Sequence, residues 1–167
     1  MKSIRTAYTI VVDSREQTPW LFEGITKRHH FADVPVVIPT AVRGLKTGDY
    51  SLVGHEDNIA IERKSIPDII GTITKGRERF ERELERMNQM KFAAVLIEGN
   101  WQTMLRYTLA NTQMNPASID STIIAWQMRY TPQWFFRPTR FTAMKTAWKI
   151  FDRYHRDLLK ENKSGKE

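Results

Sequence analysis

One stretch limits the fold more than any other: Lys91-Phe92-Ala93-Ala94-Val95-Leu96-Ile97-Glu98-Gly99. Its near-continuous apolar centre, read as a strand, needs cover on both faces, which is the position of a central strand in an α/β sheet. Tyr8-Thr9-Ile10-Val11-Val12 reads as a second buried strand and runs directly into Asp13-Ser14-Arg15-Glu16. Acids and an arginine at the end of a buried strand stand where α/β folds build their sites, although Asp13 also suits a turn. Glu98, at the end of the first run, is either a further site acid or a strand-end cap.

Between these strands, Asp49–Val53 and Ile59–Lys64 read as two more, joined by the turn-rich Gly54-His55-Glu56-Asp57-Asn58. The pair predicts an antiparallel hairpin that lays Asp49 across from Glu62. Along Ile59–Lys64, alternation puts Ala60, Glu62 and Lys64 on one face and Ile59, Ile61 and Arg63 on the other. Buried carboxylate and ammonium groups require partners or a metal. Asp49 and Glu62 offer hard oxygen ligands for a divalent cation, and Lys64 can offset charge on a phosphate or orient an attacking water. Arg63 faces away from that site, where it is expected to brace Asp68 or Glu16. A surface ion pair on a hairpin would use the same residue types, so the constellation needs its surroundings.

Ser65 is expected to cap a helix through Ile66-Pro67-Asp68-Ile69-Ile70, with proline and an acid in the first turn. Gly71–Gly76 is expected to close it. Arg77–Met90 reads as a charged helix with Phe80, Leu84 and Met87 as its apolar stripe and a solvated Glu/Arg face. Arg77, at the glycine end, is the candidate phosphate contact. Trp101–Leu109 and Pro116 to about Tyr130 read as helices and Pro132–Arg137 as an aromatic strand. Thr139 is expected to cap a long helix to about Lys160, with Phe141, Met144, Trp148, Phe151, Leu158 and Leu159 on its core face. Lys145, Lys149 and Arg153 on its basic face are candidate DNA-backbone contacts. Gln17–Asp33 reads as irregular or weakly helical, with Lys27-Arg28-His29-His30 solvated or facing DNA. Pro35 and Pro39 mark the Val34–Val42 run as an edge or broken strand.

Composition narrows the function. A charged fraction of 27% beside 41% hydrophobic residues excludes a disordered chain. The formal net charge of +7 suits a polyanion, nucleic acid above all. No apolar run approaches the roughly 20 residues of a membrane span, and Met1-Lys2-Ser3-Ile4-Arg5 lacks a signal-peptide core. With no cysteine there are no disulfides, thiolate metal sites or cysteine nucleophiles. The expectation is a cytoplasmic protein with access to DNA and no membrane partner.

Val11-Val12-Asp13-Ser14-Arg15-Glu16, then Gly48-Asp49, then Glu62-Arg63-Lys64-Ser65-Ile66-Pro67-Asp68 together resemble the XPF family of structure-specific endonucleases. The family shows a V-D-x-R-E strand end and a G-D…E-R-K-x-x-x-D signature, here in the same order. The likeness spans roughly Ile10 to Arg137 and includes Gly76-Arg77 and Val95-Leu96-Ile97-Glu98. It implies an α/β fold, the restriction-endonuclease-like core: a mixed central β-sheet flanked by α-helices. By the same resemblance, Asp49 and Glu62 match the central metal-binding acids and Lys64 the catalytic lysine. Asp13 and Glu16 match acids that help form the site, Asp13 as a further metal ligand, while Arg15, Arg63 and Asp68 match supporting motif positions. The implied substrates are branched, forked or flapped DNA cut near a single-strand/double-strand junction with Mg²⁺ or Mn²⁺. The implied organisation is a single nuclease domain over 1–160 with a polar tail over 161–167. The tandem helix-hairpin-helix domain that many members carry is not expected, which suggests a compact bacterial or phage-encoded form. A homodimer through the aromatic-rich C-terminal half is also implied. The alternatives are an inert DNA-binding or dimerisation module and a Holliday-junction resolvase-type nuclease on the same core.

Overall fold

The structure, a computed structural model, describes residues 3–164. Among the described residues, nine strands and five helices are arranged in two sheets and two helical layers. In chain order the strands are β1 (Ile4–Arg5), β2 (Ile10–Asp13), β3 (Thr26–His29), β4 (Ala32–Val37), β5 (Thr40–Arg43), β6 (Tyr50–Leu52), β7 (Ile59–Ser65), β8 (Phe92–Glu98) and β9 (Gln133–Arg137). The helices are α1 (Ile66–Thr74), α2 (Arg77–Met87), α3 (Trp101–Asn111), α4 (Pro116–Arg129) and α5 (Arg140–Ser164).

The main sheet has the order β5-β2-β6-β7-β8-β9. It is mixed: β2 runs parallel to β5, β6 lies antiparallel between β2 and β7, and β7, β8 and β9 are parallel. The apolar run Phe92–Ile97 therefore sits inside the sheet, as its two-sided hydrophobicity requires. The expected hairpin is present, with Tyr50 opposite Ile61. In the β7–β8 register, Glu62 pairs with Val95, Arg63 with Leu96 and Lys64 with Ile97. Val95 and Ile97 belong to the core under α1–α4, and Leu96 to the core under α5. One strand thus sends Glu62 and Lys64 to one face and Arg63 to the other.

The helix signals hold with shifted ends. Ser65 makes a full capping box with Asp68, and Pro67 lies in the first turn of α1. That helix passes through Gly71 to Thr74 instead of stopping, because Ile66, Ile69, Ile70 and Ile73 form a continuous buried stripe. Each buried isoleucine contributes about 1.5–3 kcal/mol, more than the roughly 1 kcal/mol that an internal glycine costs. Phe80, Leu84 and Met87 are the buried stripe of α2, as expected, but the helix ends at Met87, not Met90. Thr139 Oγ1 accepts the Thr142 N–H at the start of α5. On that helix Met144, Trp148 and Phe151 are core, whereas Phe141 and Leu159 are exposed. The helix continues past Lys160 to Ser164, with Glu161 held by Lys91 at 2.8 Å; the rest of the expected tail, 165–167, lies outside the described residues. No helix among the described residues is long and apolar enough to cross a membrane.

The largest departure is in the N-terminal third. Thr26–His29, expected to be irregular, forms β3 and pairs antiparallel with β4. With β1 these strands make a separate three-stranded sheet. The sequence Thr-Lys-Arg-His carries no apolar alternation, so nothing in it marks a strand; pairing with β4 supplies the order. The Val34–Val42 run is broken, as its prolines imply, between β4 and β5 at Ile38-Pro39. Of the C-terminal aromatics, Trp126 and Trp148 are core, and Trp134, Phe135 and Phe136 are half-buried on the edge strand β9.

Candidate active site

The cleft forms where the ends of β2, β6 and β7 meet α2. Asp49 reaches it from the residue before β6. Its N–H donates to the Ile61 carbonyl at 2.9 Å and its carbonyl accepts from Asp13 N–H at 2.8 Å. The preceding Gly48 has φ +71°, and a Cβ there would lie 3.0 Å from the Ile61 carbonyl oxygen. Only glycine gives both that backbone conformation and that approach. Asp49 Oδ2 then accepts the Arg63 N–H at 2.8 Å, which fixes the carboxylate beside β7.

Glu62 and Lys64 complete the centre. Lys64 Nζ lies 2.7 Å from Glu62 Oε1 and 4.9 Å from the centre of the Phe80 ring. Burial pushes the Asp49 carboxyl up to about 8, and the neighbouring Glu62 charge adds to the rise. Burial also raises Glu62, against the pull of Lys64. Lys64 is raised: burial alone would lower it, but the Glu62 carboxylate outweighs that. Two carboxyls driven toward protonation by burial and by neighbouring acids are oxygen donors whose strain a divalent cation would relieve. Among the described residues no group of three or more His, Asp or Glu side chains is placed to hold an ion. Asp49 and Glu62 are the two carboxylates of this cleft that could hold one. That suits Mg²⁺, which is commonly held by one or two carboxylates and fills its remaining positions with water and phosphate oxygens.

The other expected residues surround this pair in different ways. Asp13 lines the same cleft but is engaged elsewhere. Its Oδ2 accepts from Arg15 Nε at 2.9 Å, and its Oδ1 from the Leu45 N–H at 3.3 Å. The structure does not gather it with Asp49 and Glu62 into a three-carboxylate set. Arg15 also donates to the Leu45 carbonyl at 2.6 Å, so Asp13 and Arg15 tie β2 to the loop before Asp49. Glu16, expected among the catalytic acids, accepts the Thr18 N–H and stands 3.4 Å from Arg63. Arg63 does face away from the cleft, and of its two expected partners Glu16 is correct and Asp68 is not. Asp68 is held in the α1 capping box.

The principal partner of Arg63 is Glu98, through a two-pronged bond of 2.7 and 2.9 Å. Glu98 also accepts from Trp20 Nε1 at 2.7 Å and from Arg140 at 3.1 Å. Burial would raise this carboxyl, but the Arg63 and Trp20 hydrogen bonds hold it below the usual range. Glu98 is therefore a strand-end anchor that links β7, β8 and α5 behind the cleft, not an acid within it.

Glu83 was hidden in the expected solvated face of α2. It accepts the Gly48 N–H at 2.6 Å, bonds Arg86, and lines the cleft with Asp49, Glu62 and Lys64. Its spacing held the signal, because Phe80, Glu83, Leu84 and Met87 share one side of the helix. Arg77 is exposed, but its guanidinium donates to Thr122 at 2.8 Å and lies over Trp126. It anchors α2 to α4. Arg79 and Arg82, indistinguishable in the sequence from the other charges of α2, are exposed along the groove that continues from Lys64 between α1 and α2. Lys145, Lys149 and Arg153 lie on α5, across the sheet from the cleft, with Arg153 paired to Asp157 at 2.8 Å.

A family model described as the ERCC4 domain matches residues 12–140. The fold is similar to that of XPF from Aeropyrum pernix, at 19% identity and a TM-score of 0.57, over 85% of this chain and 57% of that one. It is likewise similar to XPF from Aeropyrum pernix in complex with DNA, at 18% identity and a TM-score of 0.59, over 92% of this chain and 66% of that one. The chain thus spans less than two thirds of either protein. No curated protein matches it.

Proposed function

The chain belongs to the ERCC4-domain (XPF) family of nuclease domains, and from that premise we propose that it is a divalent-metal-dependent DNA endonuclease that hydrolyses phosphodiester bonds in branched, forked or flapped DNA. The observation that carries this reading is the convergence of Asp49, Glu62 and Lys64 on one face of the sheet, in a cleft walled by Asp13 and Glu83. Asp49 and Glu62 would hold Mg²⁺ or Mn²⁺. When bound, the cation would polarise the scissile phosphate and lower the pKa of an attacking water.

The side chains supply the rest. Lys64 stays charged through neutral pH, because its pKa is raised; it acts as a fixed positive charge beside the reacting phosphate and not as a general base. Arg63 does no chemistry. Its backbone N–H orients Asp49 while its guanidinium locks β7 to Glu98 and Glu16. Lys75, Arg79 and Arg82 along the α1–α2 groove would take the adjoining phosphates. That DNA can occupy this fold is supported by the similar Aeropyrum pernix XPF in complex with DNA.

The test is a panel of flap, fork, four-way junction and plain duplex DNA, with Mg²⁺ or Mn²⁺ and with chelator. Branched substrates are expected to be cut only with metal. Lys64→Ala is expected to lower the rate by about 10²–10³-fold, the scale of a lost electrostatic stabiliser, with DNA binding retained. Absence of cleavage on every substrate, with wild type and Asp49→Asn alike, would sink the nuclease reading. Preference for the four-way junction would move the chain to the resolvase class.

A further inference from the structure

The β3–β4 hairpin takes no part in the cleft. Its two-residue tip is His30-Phe31, joining His29 to its partner Ala32. His30 adopts φ 54°, in the left-handed region where glycine is favoured. Phe31 is 93% exposed, far more than the other large apolar side chains on this surface except Met128. A strained, glycine-free turn that holds an aromatic ring in solvent runs against both local preference and burial.

The stem of the same hairpin is basic, and it borders a groove against α5. Lys27 and Arg28 from β3 face Lys145, Lys149 and Arg156 from α5 across a cavity of about 500 Å³. Two acids offset them in part: Arg28 lies 3.8 Å from Asp33, and Lys27 and Arg156 lie 3.9 and 3.0 Å from Asp152. No carboxylate among the described residues pairs with Lys145 or Lys149. The groove therefore keeps a positive excess for a polyanion.

The position of this groove defines its ligand. It lies on the α5 side of the sheet, whereas Asp49, Glu62 and Lys64 face α1–α4. Chain direction separates them further. β4 leads into β5, which runs parallel to β2 and ends at Arg43 opposite Asp13 at the cleft, so the tip lies twelve residues upstream of the cleft along the chain. The run from Phe31 to Arg43 covers at most about 40 Å at ~3.3 Å per residue. A straight duplex seated in the cleft does not turn to the opposite face within that distance, since DNA is stiff over ~150 base pairs. An unpaired strand does.

We propose that the β3–β4 hairpin and the basic groove beside α5 form a second DNA site, which holds an unpaired strand leaving the junction: groove cations follow its phosphates and Phe31 stacks on a base. The proposal rests on the reading of this chain as a nuclease for branched DNA. Stacking on an exposed aromatic tolerates any base, because every base has a π-face, so the site selects structure and not sequence.

The experiment measures binding of an unpaired oligonucleotide, a splayed fork and a blunt duplex with chelator present. Phe31→Ala removes a solvent-exposed ring, leaves no cavity and is expected to fold as wild type. It should weaken the unpaired strand and the fork by about 5–150-fold, the scale of one base stack, and change duplex binding by less than about 2-fold. Lys145→Glu with Lys149→Glu should weaken the same two ligands and lower the salt slope. Phe31→Trp, against the wild-type fluorescence background, should report quenching by the unpaired strand and none by duplex. Wild-type affinity of Phe31→Ala for unpaired DNA, or an equal loss on all three DNAs, overturns the proposal. Cleavage by wild type in parallel Mg²⁺ reactions keeps the two readings apart. Binding of the unpaired strand through Phe31 without any cleavage overturns the nuclease reading and leaves the strand site standing. Cleavage with normal unpaired-strand binding by Phe31→Ala overturns the strand site alone.

Discussion

The metal-free protein should lose stability as pH rises from about 4 to 8, and Asp49 should be a main cause. An aspartate in an unfolded chain ionises near 3.9, whereas the folded carboxyl is pushed up to about 8 by burial and by Glu62. Below pH ~4 both states carry the proton, and this group's contribution is fully present. Between the two values the unfolded chain has lost the proton that the folded chain keeps, so folding takes up a proton and stability falls as pH rises. Above about 8 the loss is complete. The four-unit interval sets a ceiling of about 5 kcal/mol at 1.36 kcal/mol per unit. Solvent access through the cleft reduces this to roughly 2–3 kcal/mol, or about 4–12 °C in melting temperature for a chain of this size. Asp49→Asn keeps the shape and the acceptor for Arg63 N–H but cannot ionise, so its melting temperature should fall less between pH 5 and 8. At pH 8, Mg²⁺ at about 100 times its Kd should restore ~2.7 kcal/mol to wild type and much less to Asp49→Asn. Thermal melts of both proteins over pH 4.5–8.5, with and without Mg²⁺ and without DNA, measure this directly. Equal pH slopes and equal Mg²⁺ shifts in the two proteins would refute the assignment of Asp49 as a strained, metal-relieved carboxylate.

Arg63→Ala leaves the half-buried Glu16 without its cation and Glu98 with Arg140 alone, and should cost up to about 3 kcal/mol in stability; adding Glu98→Gln should recover part of the loss, and urea melts of the single and double variants check the coupling. Gly48→Ala meets the Ile61 carbonyl oxygen at 3.0 Å in a left-handed backbone and should lower stability by about 1–3 kcal/mol. It should also weaken Mg²⁺ binding, because the Asp49 backbone shifts with it; calorimetric titration of Mg²⁺ reads that displacement, and unchanged affinity would show that the tight approach has no bearing on the site.

Much of the site was legible because it is local. Strand alternation alone assigned Glu62 and Lys64 to one face and Arg63 to the other, and the β7–β8 register agrees. The Ser65 cap and the Asp49 hairpin were likewise short-range signals. What stayed hidden was set by pairing across long separations. Nothing near Arg63 names Glu98 as its partner, 35 positions away. Glu83 carries the same charge as the solvated acids beside it, and only packing of the Phe80–Met87 side of α2 turns it inward. β3 has no pattern of its own and becomes a strand because β4 lies beside it. Arg77 stands after a glycine near the site, where a phosphate contact is expected, yet Thr122 and Trp126, 45 and 49 positions away, decide what it holds.

The two faces of β7 explain why three consecutive charged residues sit on one strand. Two neighbouring carboxyls whose pKa values burial raises, Asp49 to about 8, are a source of repulsion when charged, and a loop would relax to separate them. Here the loop cannot. The Asp49 N–H and carbonyl are tied to β7 and β2, its side chain accepts from Arg63 N–H, and Glu83 holds the Gly48 N–H. Arg63 fixes the backbone that presents its two neighbours, through Glu98 on β8 and Glu16 beyond β2. The brace and the reactive pair are thus the same strand read on opposite sides, with the brace neutralised by its own acids. Replacing Arg63 with lysine would keep the charge but lose the two-pronged geometry, so positioning, not charge, is what this residue supplies.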